Sequence, residues 1–555
     1  MTRRELMKAA IAAPFYAQAA SNTPRSRMRS LEETPGAVAD IWRISGRFTK
    51  NPDIVRFSSG RMILVFCDDD SHWAQEITRI TTLESTDGGK TWGNPHVVAQ
   101  TDRRKNEERW LTPRITHLRD GRVMMLCDHD DYAHVHEDQS SGIWQWESKD
   151  EGRTWSEPRL TGIPGIEPDR VIELAAGTLL IAAHMMLAAT RKLGQYVVRS
   201  TDGGKTWKDL VIIASDPVHH YCEGALVVLK DNKLACIMRD NLHAGYPSWV
   251  SFSQDSGFNW SRPQPMPFAG DRPYALQMPD GRVLVTYRNQ AGNKGTHAWI
   301  GNLDNECEYR VAGTHYDDRV TLTHDTLEIA GDKGAVTRYS MMPPESFRSD
   351  VLFEATLQVR GASREPVGFV EIGRLGLRLD ICTDHMRLHR GAIDYYAHPT
   401  DREASADFTQ PRTVRVEVKR GRLLISIDGK PVLNWVVMTE AALRETCFGR
   451  LPDHAGSVIW HRVRYEVKNQ SEPPYGLMWQ PSNGHPDQYQ LDRMLVVSSN
   501  PPKDPEYAPD NGYSSFVPMP DGSIYLVDYI TRGDPKPTSH LYRARFSLSD
   551  FGPAA

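Results

Sequence analysis

The octapeptide Ser85–Trp92, STDGGKTW, recurs unchanged at Ser200–Trp207. Looser copies, SKDEGRTW at 148–155 and SQDSGFNW at 253–260, share its pattern S-x-D-x-G-x-x-W. The four aspartates are Asp87, Asp150, Asp202 and Asp255, a period near fifty residues. That is the size of one four-stranded propeller blade. The Asp and the small residues predict a tight turn between two outer strands, with Gly supplying positive φ and Trp packing beneath.

A second repeat precedes each octapeptide. Strand–turn–strand patterns begin at Asn51, Thr112, Glu167, Tyr221, Asp271 and Gly512, as in TPRITHLRDGRVMMLCDHDD and DRPYALQMPDGRVLVTYRN. Asp-Gly marks the turn in three of them, which reads as a hairpin. Six hairpins predict an all-β, six-bladed propeller. The pattern changes between the fifth and sixth. Segments such as SDVLFEATLQV and RTVRVEVKRGRLLISIDGKPVLNWVV alternate apolar and polar residues, as half-buried antiparallel strands do. The expected division is propeller blades one to five over 36–305, an inserted β-sandwich over 306–470, and the last blade over 471–555.

Composition narrows the function classes. The chain has 555 residues and a net charge of -5, with no Lys/Arg run of the kind that binds phosphate backbones, so nucleic acid is not an expected partner. No run of about 18 apolar residues predicts a membrane span. Seven Cys without C-x-x-C spacing predict neither a zinc site nor a disulfide framework, and no metal or cofactor is expected. The N-terminus, MTRRELMKAAIAAPFYAQAA, resembles a twin-arginine export signal over 1–20, with Ala17-Gln18-Ala19 as cleavage site. A periplasmic or extracellular location is therefore expected.

The hairpin geometry also locates a site. Each turn lies at one end of its blade, so residues before the first strand and after the second gather at the other end, around one axial mouth. Those segments hold Arg114, Glu167, Arg170, Glu223, Arg272 and Tyr513 on one side of the hairpins. Asp68, Asp69, Asp70, His72, His184, Arg239 and Arg288 follow the second strands. Ionisable groups gathered in one concavity are the pattern of a polar substrate site.

The four octapeptides at blade spacing resemble the Asp-boxes of the sialidase superfamily, whose fold is a six-bladed propeller. The inserted segment resembles the laminin-G or concanavalin-like jelly rolls. In sialidases a Glu opening the fourth blade is followed about sixteen residues later by an Arg, as Glu223 is by Arg239. A Tyr-Ser pair opens the last blade, as Tyr513-Ser514 does here. The resemblance implies Tyr513 as nucleophile, Glu223 as its base and Asp70 as acid/base, with Arg239, Arg272 and Arg288 binding a substrate carboxylate. It implies retaining hydrolysis of a terminal sialic acid or related acidic sugar from a glycan. The physics agrees: a neutral phenol is not repelled by the sugar's carboxylate, and a neighbouring Glu can take its proton. One departure stands out. The family's first-blade Arg aligns with Pro52, and Arg114 or Arg170 is expected to replace it. Another glycosidase or a polysaccharide lyase on the same propeller, or a non-catalytic glycan-binding propeller, are the alternatives.

Overall fold

The computed structural model describes residues 27–551 apart from 73–75, 106, 131–141, 293, 314–318, 335–336, 391–401, 437–444, 502–509 and 533–537. The N-terminal segment 1–20 lies outside the described residues.

Six sheets form the propeller, antiparallel apart from one short parallel edge pairing in blade five. Blade one is Phe48–Arg56, Met62–Asp69, Ile77–Ser85 and Gly93–Asp102, in sequence order. Blades two, three and four repeat that order over 109–160, 172–214 and 221–265. Each apolar strand alternates its side chains between the two faces of its sheet, so every blade offers a hydrophobic face to both neighbours. Leu64 and Phe66 of blade one pack with Tyr525 and Val527 of blade six, while Ile63 and Val65 pack with Ile115 and Val123 of blade two. Blades two and three share Leu126 and Ile181, blades four and five Val227 and Val285, and blades five and six Leu284 and Phe516.

Two blades are completed from distant sequence. The outer strand of blade six is the N-terminal Val38–Trp42, paired with His540–Phe546. That strand therefore belongs to the last blade and not to blades one to five. The fourth strand of blade five is Met494–Ser499, paired with Gly295–Gly301, and the short Arg29–Ser30 lies outside it. The insertion thus interrupts blade five, rather than separating blades five and six as the hairpin count alone predicts. Its far boundary also shifts. Tyr475–Trp479 pairs with Gly456–Lys468 and belongs to the inserted sheets, because those strands bury Tyr465 and Trp479 together.

Among the described residues the insertion forms a seven-stranded and an eight-stranded antiparallel sheet. They meet face to face, with the rings of Phe448 and Trp460 4.9 Å apart. The insertion packs on blade four. Tyr246 donates to the carbonyl of Pro344 at 3.2 Å, and the buried His219 links Asp240 at 2.6 Å to Glu472 of the insertion at 2.9 Å.

The octapeptides lie at the outer turns, between the third and fourth strands of blades one to four. Asp87 accepts from the backbone of Lys90 and Thr91 and from the Thr91 hydroxyl at 2.6 Å, bonds that hold its carboxyl at about 2. The Trp ring does more than pack beneath its own turn. Trp92 Nε1 donates to Tyr525 Oη of blade six at 2.8 Å, and Trp207 Nε1 donates to Gln145 of blade two at 3.1 Å. These two boxes tie their own blade to the preceding one.

Gly89 sits at φ 81° with Tyr525 against it, so a Cβ there would enter the ring. Gly89→Ala is expected to cost about 3 kcal/mol from left-handed strain plus overpacking. Gly88→Ala, at φ 76° with no close neighbour, is expected to cost only about 1 kcal/mol. Denaturant unfolding of both variants checks the difference.

Candidate active site

The first strand of five blades, and in blade three the segment just before the short first strand, carry the same irregularity. Asn51, Thr112, Glu167, Glu223, Arg272 and Tyr513 all have positive φ, between 43° and 60°, and none is glycine. At each, two residues oppose one on the second strand. Glu223 and Gly224 face Met238, Arg272 and Pro273 face Tyr287, and Tyr513 and Ser514 face Asp528. Such a bulge bends the strand and re-aims a side chain. Proline follows the left-handed residue in four blades, at Pro52, Pro113, Pro168 and Pro273, where the bulge leaves an N–H without a ladder partner. The opposing strands bring His184, Arg239 and Arg288 to the same level.

Tyr513, Glu223 and Glu167 meet. The Tyr513 hydroxyl lies 2.9 Å from Glu223 Oε1 and 3.2 Å from Glu167 Oε1. Arg239 donates to Glu223 Oε1 at 2.6 Å, and the backbone N–H of Arg272 donates to Glu223 Oε2 at 2.8 Å. Asp271 binds two arginines, Arg239 Nε at 2.8 Å and Arg288 Nε at 3.2 Å. Arg288 also reaches Asp510 at 3.3 Å, which accepts from Tyr529 at 2.8 Å and lies against His72. The guanidiniums of Arg272 and Arg288 stand 5.4 and 5.5 Å from the centre of the Tyr513 ring.

Burial and charge divide the three acidic groups. Burial raises Glu167, and the nearby charge of Glu223 raises it further, to about 8. Burial would raise Glu223 too, but the charges of Arg239, Arg272 and Arg288 outweigh it and hold that carboxyl well below the ordinary range. Burial, then Glu167 and Glu223, push the Tyr513 phenol far above its usual value. At neutral pH the group is a neutral phenol between one carboxylate and one neutral carboxyl, an environment that separates two like groups by role.

Other residues singled out in the sequence fall elsewhere. Arg114 is buried under the mouth, 4.0 Å from Asp53. Arg170 donates to the carbonyls of Ala275 and Leu226 and lies over the Tyr274 ring at 4.4 Å. Both follow their blade's left-handed residue, by two and three positions, and form the floor; neither takes the place of the missing first-blade Arg. The mouth position of blade one is Asn51, with Pro52 in the bulge behind it. Asp70 accepts backbone N–H groups of Glu76 and Ile77 at 2.9 and 3.3 Å, and so caps its own loop. Arg272 is only half available, since it donates to the carbonyls of Glu167 and Pro168 at 3.1 and 2.8 Å. Sequence reasoning placed Glu167 at the mouth but gave it no role. The recurring X-Pro dipeptide, Glu167-Pro168 beside Asn51-Pro52 and Arg272-Pro273, is the signal that aligns it with the other six-fold positions.

Residues 85–323 match the BNR repeat-like domain. A sialidase of Bacteroides fragilis (strain YCH46) is 25% identical over 225 residues, 34% of this chain and 38% of that protein. The chain thus matches well under half the length of this relative. A solved protein of unknown function from Dyadobacter fermentans DSM 18053 is 14% identical, with TM-score 0.42, over 77% of this chain and 98% of its own. A mutant of Trypanosoma rangeli sialidase displaying trans-sialidase activity is 13% identical, with TM-score 0.36, over 75% and 91%.

The raised Glu167 has a stability consequence. Its folded state holds a proton that the unfolded chain releases above about 4.5, so its contribution to stability declines as pH rises from there to about 8. Glu167→Gln removes that titration. The variant is expected to match the parent Tm near pH 5 and to exceed it by a few degrees at pH 8, measured by thermal melts across that range.

Proposed function

We propose, for a chain that belongs to the BNR-repeat propellers of the sialidase superfamily, that it is a retaining exo-glycosidase acting on a terminal sialic acid or related acidic sugar. The observation that carries this reading is the Tyr513 hydroxyl, 2.9 Å from a Glu223 that Arg239 holds ionised. A binding protein has no need of a carboxylate base on a buried phenol.

The chemistry follows from the charges. An acidic sugar brings its carboxylate to the anomeric carbon, where an anionic nucleophile would be repelled. Tyr513 attacks as a neutral phenol and passes its proton to Glu223 as the glycosyl–oxygen bond forms, while the glycosidic bond to the leaving group breaks and its oxygen takes a proton from the acid/base carboxyl or from water. The neutral carboxyl of Glu167 stays within reach of the same oxygen. When water cleaves the glycosyl–tyrosine bond, these two carboxyl groups return a proton to the departing phenolate. Arg239 and Arg288 receive the substrate carboxylate, since a guanidinium offers paired donors where an ammonium offers one charge. Asp70 acts as acid/base on the leaving group only by giving up its bonds to Glu76 and Ile77. The inserted sheets are read as a laminin-G or concanavalin-like unit, and the Arg3-Arg4 segment supports export.

A fluorogenic sialoside and an acidic-glycan panel test the reading on purified protein. Wild type is expected to cleave with retention, seen by the product anomer in NMR. Tyr513→Phe is expected to lower kcat/KM by about 10³-fold or more, and Glu223→Gln by about 10² to 10⁴-fold. Full activity in Tyr513→Phe would overturn the nucleophile assignment. No cleavage of any member of the panel would overturn the glycosidase.

A further inference from the structure

A second cavity of about 160 Å³ adjoins the phenol site. Its walls come from three places. Asp240 and His243 belong to blade four, Asp271 and Lys294 to blade five, and Ser340 and Glu445 to the insertion. Asp271 is the wall shared with the phenol site, because its two oxygens hold Arg239 and Arg288. A ligand whose carboxylate lies on those arginines is therefore separated from this cavity by the Asp271 side chain.

The lining is polar, and its carboxylates are already paired. Asp240 pairs with His219 at 2.6 Å, and Glu445 pairs with Arg338 at 3.1 Å and accepts from Ser340 at 3.1 Å. Lys294 Nζ donates to Gln290 Oε1 at 3.0 Å and to the Gln290 carbonyl at 3.4 Å, which leaves one N–H donor of the ammonium. Carboxylate oxygens satisfied on one side retain lone pairs for hydroxyl donors. With three carboxylates in the lining and one ammonium, a second acidic group is disfavoured, while a ring bearing several hydroxyls finds both donors and acceptors. The space equals the liquid volume of roughly five waters, which suits one sugar ring and not an oligosaccharide.

We propose that this cavity holds the neutral sugar on the leaving-group side of the scissile bond, and that the insertion supplies part of its recognition through Ser340 and Glu445. The inference rests on the glycosidase reading above. It makes the interruption of blade five functional: the inserted sheets reach the propeller where the second sugar must lie.

Calorimetry on Tyr513→Phe protein tests this without turnover, using sialyllactose and free sialic acid as probes. Adding Glu445→Ala or Lys294→Ala is expected to weaken sialyllactose about tenfold and to leave free sialic acid within twofold. Glu445→Gln, which keeps the shape and acceptor oxygen, is expected to recover most of the loss and so guards against misfolding. Equal affinity of all variants for sialyllactose would overturn the proposal, as would equal weakening of both probes. Failure of the Tyr513→Phe protein to bind either probe would overturn it as well. The wild-type panel assay separates the two readings. Cleavage there, together with pocket variants that keep wild-type kcat/KM on sialyllactose, sinks the cavity assignment alone, whereas no cleavage sinks the glycosidase.

Discussion

Six residues held in left-handed backbone, one per blade, position everything at the mouth. A non-glycine residue in that region costs roughly 1–2 kcal/mol, and β-strands normally avoid it. Here the conformation recurs at Asn51, Thr112, Glu167, Glu223, Arg272 and Tyr513, so it belongs to the blade design. Interblade packing on both faces holds each first strand, and each bulge gains a side chain aimed across the axis. The chemistry of the protein is thus a choice of six residue types at six equivalent positions. Two are carboxyl groups, one is a phenol and one is a guanidinium cation; the remaining two, Asn51 and Thr112, are neutral and polar.

Charge balance is the second constraint. Arg239 and Arg288 share Asp271, and each holds one further carboxylate, Glu223 and Asp510. Buried ions in this density persist only when each is paired and hydrogen-bonded. The same pairing fixes function. It keeps Glu223 ionised beside a phenol that burial keeps neutral, and it aligns the guanidiniums before any ligand arrives.

Local signals in the chain read well, and distant ones do not. The octapeptides and Asp-Gly turns are short-range features, so blade number and the location of the mouth follow from sequence. Glu223 and Arg239 lie on adjacent strands of one hairpin, so the short-range pattern that resembles sialidases picks out the pair, as the Tyr-Ser that opens the last hairpin picks out Tyr513. Arg114 and Arg170 share the same segments, but a strand alternates its faces and a bulge changes the count. Which Arg reaches the mouth and which forms the floor depends on a one-residue irregularity that composition does not mark. The fourth strand of blade five was also hidden. MLVVSS at 494–499 carries no turn signal linking it to Gly295–Gly301, and the pairing spans the whole insertion.

The seam of the ring bears on how the protein comes into being during synthesis. Blade one needs Tyr525 and Val527 to cover one of its faces, and Val38–Trp42 finds its partner only when His540–Phe546 has been made. Until then a growing chain carries an open arc with an apolar face at each end. At ribosomal speeds of about 5–20 residues per second, that state lasts roughly half a minute or more. The insertion's strands pair among themselves, while blade five is incomplete until Met494–Ser499 has been made. Because Tyr513 arrives from the far side of the seam, no nascent chain contains the phenol–carboxylate group.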